Sequence, residues 1–278
     1  MKRLLIPFLF VFAILTYSCN KLTPTPPPGS GDSTHVVTDS TGADTVNLKA
    51  GLLLYLPFNG SIADSSGNNN PTTLVNGAAL TVDEHGYANS AFGGTGNGEA
   101  LVVTNNGSIK FDSAFTVSFH FMTKNPEQEQ IFLSATNWAT GHAPMLLTGL
   151  GNNNDSLTQY HYLNTYGVDP AVGCDNWGSS SQSYGSVPHW KPIQYAWYQY
   201  TCIFNKGTYK TYINGQLLDS TTYPGVTKNN FCPSSNVVIG GWWMQAPVSI
   251  NGKIDEVRLY GRVLNANEIA KLARGYHQ

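Results

Sequence analysis

Charge is scarce in this chain. Only 12% of its 278 residues are charged and the net charge is -2, so no basic patch exists to attract a nucleic acid. Long amphipathic runs are also few, which argues against a helical architecture. Cysteine is rare, at 4 residues, too few for a dense disulfide framework. No tandem repeat and no second linker interrupt the chain after residue 50. Aromatic residues and glycine are abundant instead: 15 Tyr, 12 Phe, 6 Trp and 28 Gly. With many Asn, Ser and Thr, they suggest an all-β domain outside the cytoplasm.

The single apolar run lies at the start. Lys2 and Arg3 precede apolar residues 4–15, a stretch too short to span a bilayer comfortably. Ser18-Cys19 follows, and the whole resembles a bacterial lipoprotein signal. The resemblance implies that residues 1–18 are a signal peptide and that Cys19 carries the lipid. The alternative is ordinary secretion with an incidental Cys19. Residues 19–49 form a tether rich in Pro, Gly, Ser and Thr, including TPTPPPGSG at 23–31. Such a stretch is extended or flexible and cannot bury enough surface to fold.

Residues 50–278 are expected to form one domain. Candidate strands are 51–58, 100–104, 115–122, 130–134, 145–150, 157–163, 198–205, 208–213, 236–240 and 252–260, each bounded by Gly, Asn, Asp or Pro. The sharpest hairpin signal is TYKTYINGQLLDS at 208–220, where Asn214-Gly215 suits a type I′ turn. Asn205-Lys206-Gly207 makes another turn just before it. Residues 249–272 read as a strand, a turn and a short helix. Alternation puts Asp255 on the face of Val257 and Leu259, and Glu256, Arg258 and Tyr260 on the other. Asn265 and Glu268 form a candidate capping box, with Leu264 and Ile269 as a hydrophobic staple. Cys174, Cys202 and Cys232 remain after Cys19. Cys202 falls in a strand; Cys174 and Cys232 are the candidate disulfide pair, and no pairing is the alternative.

Four stretches in order carry a resemblance: GLLLYLPFNGSIADSSG at 51–67, FTVSFHFM at 115–122, WYQYTCIFNKGTYKTYINGQLL at 197–218, and SINGKIDEVRLYGRVLNANEIAKL at 249–272. Together they resemble the laminin-G-like, concanavalin A-like jelly-roll domains of bacterial surface proteins. The resemblance implies two antiparallel sheets packed face to face, with the first and last strands close together and one short C-terminal helix. It also implies a structural calcium ion held by Asp64 and Asp255 with Asn59 and backbone carbonyls nearby. The other role open to these residues is hydrogen bonding: Asp64 capping a turn, and Asp255 accepting backbone N–H groups.

Residues 164–195 show no obvious regular structure and hold several aromatic rings among Gly and Ser, which marks a functional loop or a disordered one. Trp177, Tyr184, Trp190, Trp242 and Trp243 are the candidate ligand-binding residues, because exposed rings stack on the apolar faces of sugars. Burial of each ring against the domain is the competing role. Asp255-Glu256 is the tempting acidic pair in a strand, but alternation sends the two to opposite faces, whereas a retaining glycosidase needs carboxylates about 5 Å apart. Neither the E-x-D-x-x-E strand of jelly-roll glycanases nor the Arg, Gln-x-His and Tyr signatures of jelly-roll lyases occurs. The expected protein is a non-catalytic, lipid-anchored envelope module of the outer membrane that binds glycan. A polysaccharide-degrading enzyme, or an adhesive or structural protein with a protein partner, is the alternative.

Overall fold

Short apolar runs separated by turn residues become strands almost throughout the described part of the chain. The computed structural model describes residues 46–136, 146–153, 156–164, 182–187, 190–224, 227, 235–244 and 246–275. The leader, Cys19, most of the tether, Trp138, Trp177, Cys174 and Cys232 lie outside them.

In chain order the strands are β1 (Leu52–Leu56), β2 (Thr72–Val75), β3 (Ala79–Thr81), β4 (Ala91–Thr95), β5 (Ala100–Val103), β6 (Ala114–Thr123), β7 (Gln130–Thr136), β8 (Leu146–Asn153) and β9 (Ser156–Asn164). They continue as β10 (Gln182–Val187), β11 (Trp197–Asn205), β12 (Thr208–Ile213), β13 (Gln216–Thr222), β14 (Asn236–Ile239), β15 (Gly241–Trp243), β16 (Ala246–Ser249) and β17 (Asn251–Tyr260), before helix α1 (Ala266–Ala273). One sheet has the order β13-β12-β11-β6-β17-β4-β3, with β1 also paired to β17; the second runs β10-β9-β8-β7-β14-β5-β2. The pairings are antiparallel. β15 and β16 form a separate hairpin.

All ten expected strands have counterparts. The hairpin turns also form as their residues require: Asn214 and Gly215 both take positive φ, as do Lys206 and Gly207, the conformation of a type I′ turn. Two expectations are corrected. Residues 164–195 are not structureless, because β10 lies among them and pairs with β9. Trp242 and Trp243, which the sequence reads as loop residues, sit in a strand.

Phe119 and Phe121 of β6 meet Phe132 of β7 and Tyr200 of β11 between the sheets, with ring centroids 4.5 to 6.1 Å apart. Burial of such rings supplies the main driving force for closing the sandwich. A second cluster forms on the outer side of the first sheet. There Leu264, Ile269 and Leu272 around α1 cover Ile203 and Tyr260, with Leu48, Leu52 and Tyr212 at the margin. The helix begins as expected: Asn265 Oδ1 accepts from Glu268 N and Glu268 Oε2 from Asn265 N, both at 2.9 Å. Arg262 grips the same carboxylate through two bonds of 2.7 Å. Asn47 N also donates to Glu268, and Tyr260 Oη to Leu48 O. Residues 47–49 are therefore part of the folded unit rather than the tether.

The strand that carries Asp255 departs from simple alternation. Glu256 takes a φ of +54°, and the pairing of β17 with β6 passes from Asp255–His120 to Arg258–Ser118. Three steps on β17 face two on β6, a β-bulge. Ile254, Val257 and Leu259 consequently all belong to the sandwich core. Asp255 lies on the outer face opposite His120, so the expected placement beside Val257 and Leu259 is overturned by the extra residue.

Candidate functional site

Asp64 organises the loop after β1. Its Oδ1 accepts from Tyr55 N at 3.1 Å and Ser66 N at 2.9 Å; its Oδ2 accepts from Asn70 N at 3.0 Å and Asn70 Nδ2 at 2.8 Å. Burial alone would raise this carboxyl, but the donors of Ser66 and Asn70 outweigh it and hold the pKa below the usual carboxylate value. A short loop with Asp and Asn folds this way because both side chains substitute for backbone partners.

Asp255 occupies a different environment. It is 8% exposed and its Oδ1 accepts from Glu256 N at 2.7 Å. Burial first, then the charges of Glu256, Asp83 and Glu84, push its pKa up to about 8 against that one hydrogen bond. Glu84 also approaches His120 Nδ1 at 3.7 Å and His85 Nε2 at 3.1 Å, and His120 Nε2 lies 3.4 Å from Leu272 O at the end of α1. Glu256 reaches the same outer face, because the bulge at this residue breaks the alternation expected to send the two acids to opposite faces. It receives Tyr55 Oη at 3.1 and 3.2 Å and pairs with Arg258 at 2.5 Å.

These residues do not fit a calcium cage, which needs about six to eight convergent oxygens. Each Asp64 oxygen already faces two N–H groups, whose positive ends oppose a cation. Asp255 lies beside His120 and Glu84, and Asn59 is exposed on the turn whose Gly60 N donates to Asn89 O. Among the described residues, no group of three or more His, Cys, Asp or Glu gathers to hold an ion.

The aromatic candidates divide between two places. Trp242 is half-buried and packs with Val248 against Ile131. Its hairpin is pinned to the outer side of β7, where Ser134 Oγ donates to Gly241 O at 3.0 Å and Trp242 O at 3.3 Å. Backbone register sets Leu147, Tyr162 and Tyr184 in one row with Ser134. Trp243 pairs in register with Ala246. Trp190 is elsewhere, half-buried at the end of the core with its ring edge-on to Phe121 at 6.3 Å and Tyr198 at 5.3 Å. Alternating residues in β7 gave the only advance sign of this face: Ser134 sits between the core residues Leu133 and Ala135.

Sequence reasoning missed a cavity of mixed lining on the opposite sheet. It lies where the turn of residues 47–50, the Asp64 loop and Arg258 come together. Seven of its lining residues lie within 48–67, but Arg258 comes from the last strand, a pairing no local pattern reveals. The visible hint was an arginine in the middle of a half-buried strand.

Two antiparallel sheets, first and last strands side by side, and a tryptophan hairpin laid on one outer face define a concanavalin A-like β-sandwich. A laminin-G family model, described as the Concanavalin A-like lectin/glucanases superfamily, matches residues 92–270, and the chain belongs to that family. No curated protein sequence matches it. Among solved structures it is similar to domain 4 of AbnA, a GH43 extracellular arabinanase from Geobacillus stearothermophilus, in complex with arabinotriose. The identity is 20% and the TM-score 0.55, over 80% of this chain and 98% of that one. It is also similar to the binding domain of Paraclostridial Mosquitocidal Protein 1, at 20% identity and TM-score 0.58 over 83% of this chain and 53% of that one. The receptor binding domain of botulinum neurotoxin mosaic serotype C/D gives 16% and 0.58, over 83% and 52%. The chain thus spans about half the length of these toxin domains. At such identities the shared property is the fold.

Proposed function

We propose that the chain is a non-catalytic module that binds carbohydrate and is held on the bacterial cell envelope by a lipid on Cys19. The observation that carries this is Trp242, half-buried on a hairpin fastened across the outer face of the second sheet. An indole ring that packs against Ile131 and keeps part of its surface exposed offers apolar contact at little entropic cost, which suits a sugar ring. The arabinotriose complex of the AbnA domain, covered over 98% of its length, supports a glycan as the ligand, and the toxin domains support recognition in general.

Calorimetric titration and glycan arrays test this reading. Binding of arabino-oligosaccharides without release of reducing ends is expected, and Trp242→Ala should weaken it roughly tenfold. Cleavage of any polysaccharide, or unchanged affinity in the variant, would sink it. For the anchor, Cys19→Ala should abolish incorporation of labelled palmitate and move the protein from the membrane to the soluble fraction. Retention in the membrane would reject Cys19 as the lipid site. A protein partner is the second reading. It is favoured by Ile193 and Tyr195, two large apolar side chains 71% and 64% exposed within three residues, and one similar toxin domain is in complex with rat synaptotagmin II.

A further inference from the structure

On the sheet opposite Trp242 lies the cavity of about 520 Å³ noted above. Residues 48–67 build it together with Arg258 from the last strand. Its floor is Arg258, only 5% exposed, with its guanidinium carbon 4.1 Å from the centre of the Tyr55 ring. One wall is polar: Ser65, Ser66 and the backbone of Gly67. Gly67 has a φ of +93° and nothing within 4 Å of the place a Cβ would take, so the mouth is open there. Leu48 and Leu52 supply an apolar wall, and the exposed Lys49 stands over the entrance.

The electrostatics favour an anion. Among the described residues, no carboxylate lines the cavity. Asp64, just beneath the polar wall, spends both oxygens on N–H donors. Arg258 is balanced by Glu256 and the Asp64 charge is held by its own donors, so the charged groups that line the cavity itself are both cations, Lys49 and the stacked guanidinium of Arg258. The cavity is also preorganised. Asn47 Oδ1 accepts from Lys49 N and Ala50 N at 3.2 and 3.1 Å, fixing the turn that carries Lys49, and Asp64 fixes the loop that carries Ser65 to Gly67.

The volume exceeds what an inorganic oxyanion fills, and the leucine wall suits the apolar face of a sugar ring. We propose that this cavity is a second binding site, for the carboxylate or sulfate group of an acidic sugar. The identity of the ligand as a sugar rests on the glycan-binding reading, although the site itself is separate from Trp242.

Titration of the full chain at low salt with trigalacturonate, a sulfated disaccharide, inorganic sulfate and neutral arabinotriose tests this. At least one acidic sugar should bind, more weakly as salt is raised, and more tightly than inorganic sulfate. Lys49→Glu and Ser65→Asp, both at exposed positions, should each weaken that binding roughly tenfold while leaving the melting temperature and arabinotriose binding unchanged. Three outcomes would overturn the proposal: neither acidic sugar binds, inorganic sulfate binds as well as the sugars, or both variants bind like the parent. If arabinotriose fails while an acidic sugar binds in a Lys49-dependent way, the Trp242 reading fails and this site stands.

Discussion

Replacing Asp64 by alanine is expected to lower the stability of the domain by about 3 kcal/mol, the result of stranding four N–H donors that a single carboxylate now satisfies. Each charge-assisted bond is worth about 1.5–3 kcal/mol in isolation. The site is only half-buried, so water recovers part of the loss. Asp64→Asn should fall between the two, because its amide offers one acceptor oxygen in place of two. Since the pKa of Asp64 is lowered in the fold, its contribution is complete above the ordinary carboxylate range and is lost as pH falls through it. Chemical denaturation at pH 7 measures the effect. Melting with and without a chelator adds a direct contrast: if hydrogen bonds alone hold the loop, the chelator changes nothing, whereas a drop in melting temperature would restore calcium to this loop.

Asp255→Asn should act in the opposite direction. The folded carboxyl titrates near pH 8, whereas an unfolded one does so near 3.9. Between these values the folded chain keeps a proton that the unfolded chain has released. Stability therefore falls as pH rises from about 4 to about 8, then levels off. Asparagine does not titrate, and its Oδ1 can still accept from Glu256 N. The variant should lose this slope and exceed the parent at pH 8 to 9 by roughly 3 kcal/mol, since the loop of Asp83 and Glu84 can relax from a charged Asp255. Denaturation at several pH values decides the matter. A parent stability that rises across this window would show that Asp255 is ionised in the fold.

The two carboxylates also show what could be read in advance. The Asp64 loop was legible as a turn-capping motif because the chemistry is local: Asp, Ser, Gly and Asn within seven residues. The same holds for the capping box at Asn265 and for the Asn214-Gly215 hairpin. The ten strands found from sequence were those with clear apolar runs. The missed ones were either short, like β3 and β15, or embedded in Gly and Ser, like β10. Asp255 was misplaced because alternation assumes an unbroken ladder, and one extra residue reverses every later assignment. Two adjacent acids in the middle of the strand were the one hint of a bulge. The site was less legible than the fold. Trp190 and Trp242 look alike in sequence, yet one closes the end of the core and the other rides on an outer face. Only long-range pairing separates them.

The position of β17 carries a further consequence for how the protein is made. It is the last strand, yet β6 lies along one edge while β4 and β1 share the other. Until residues 251–260 leave the ribosome, β6 lacks one neighbour and β1 has no partner in the sheet. The Phe-rich inner face of the first sheet cannot be completed before synthesis is nearly finished, because contacts this distant in sequence form late. A chain still lacking β17 is therefore an open, apolar sheet with unpaired edges, the kind of species that aggregates. The same feature that makes the finished sandwich hard to open keeps the unfinished one from closing too soon.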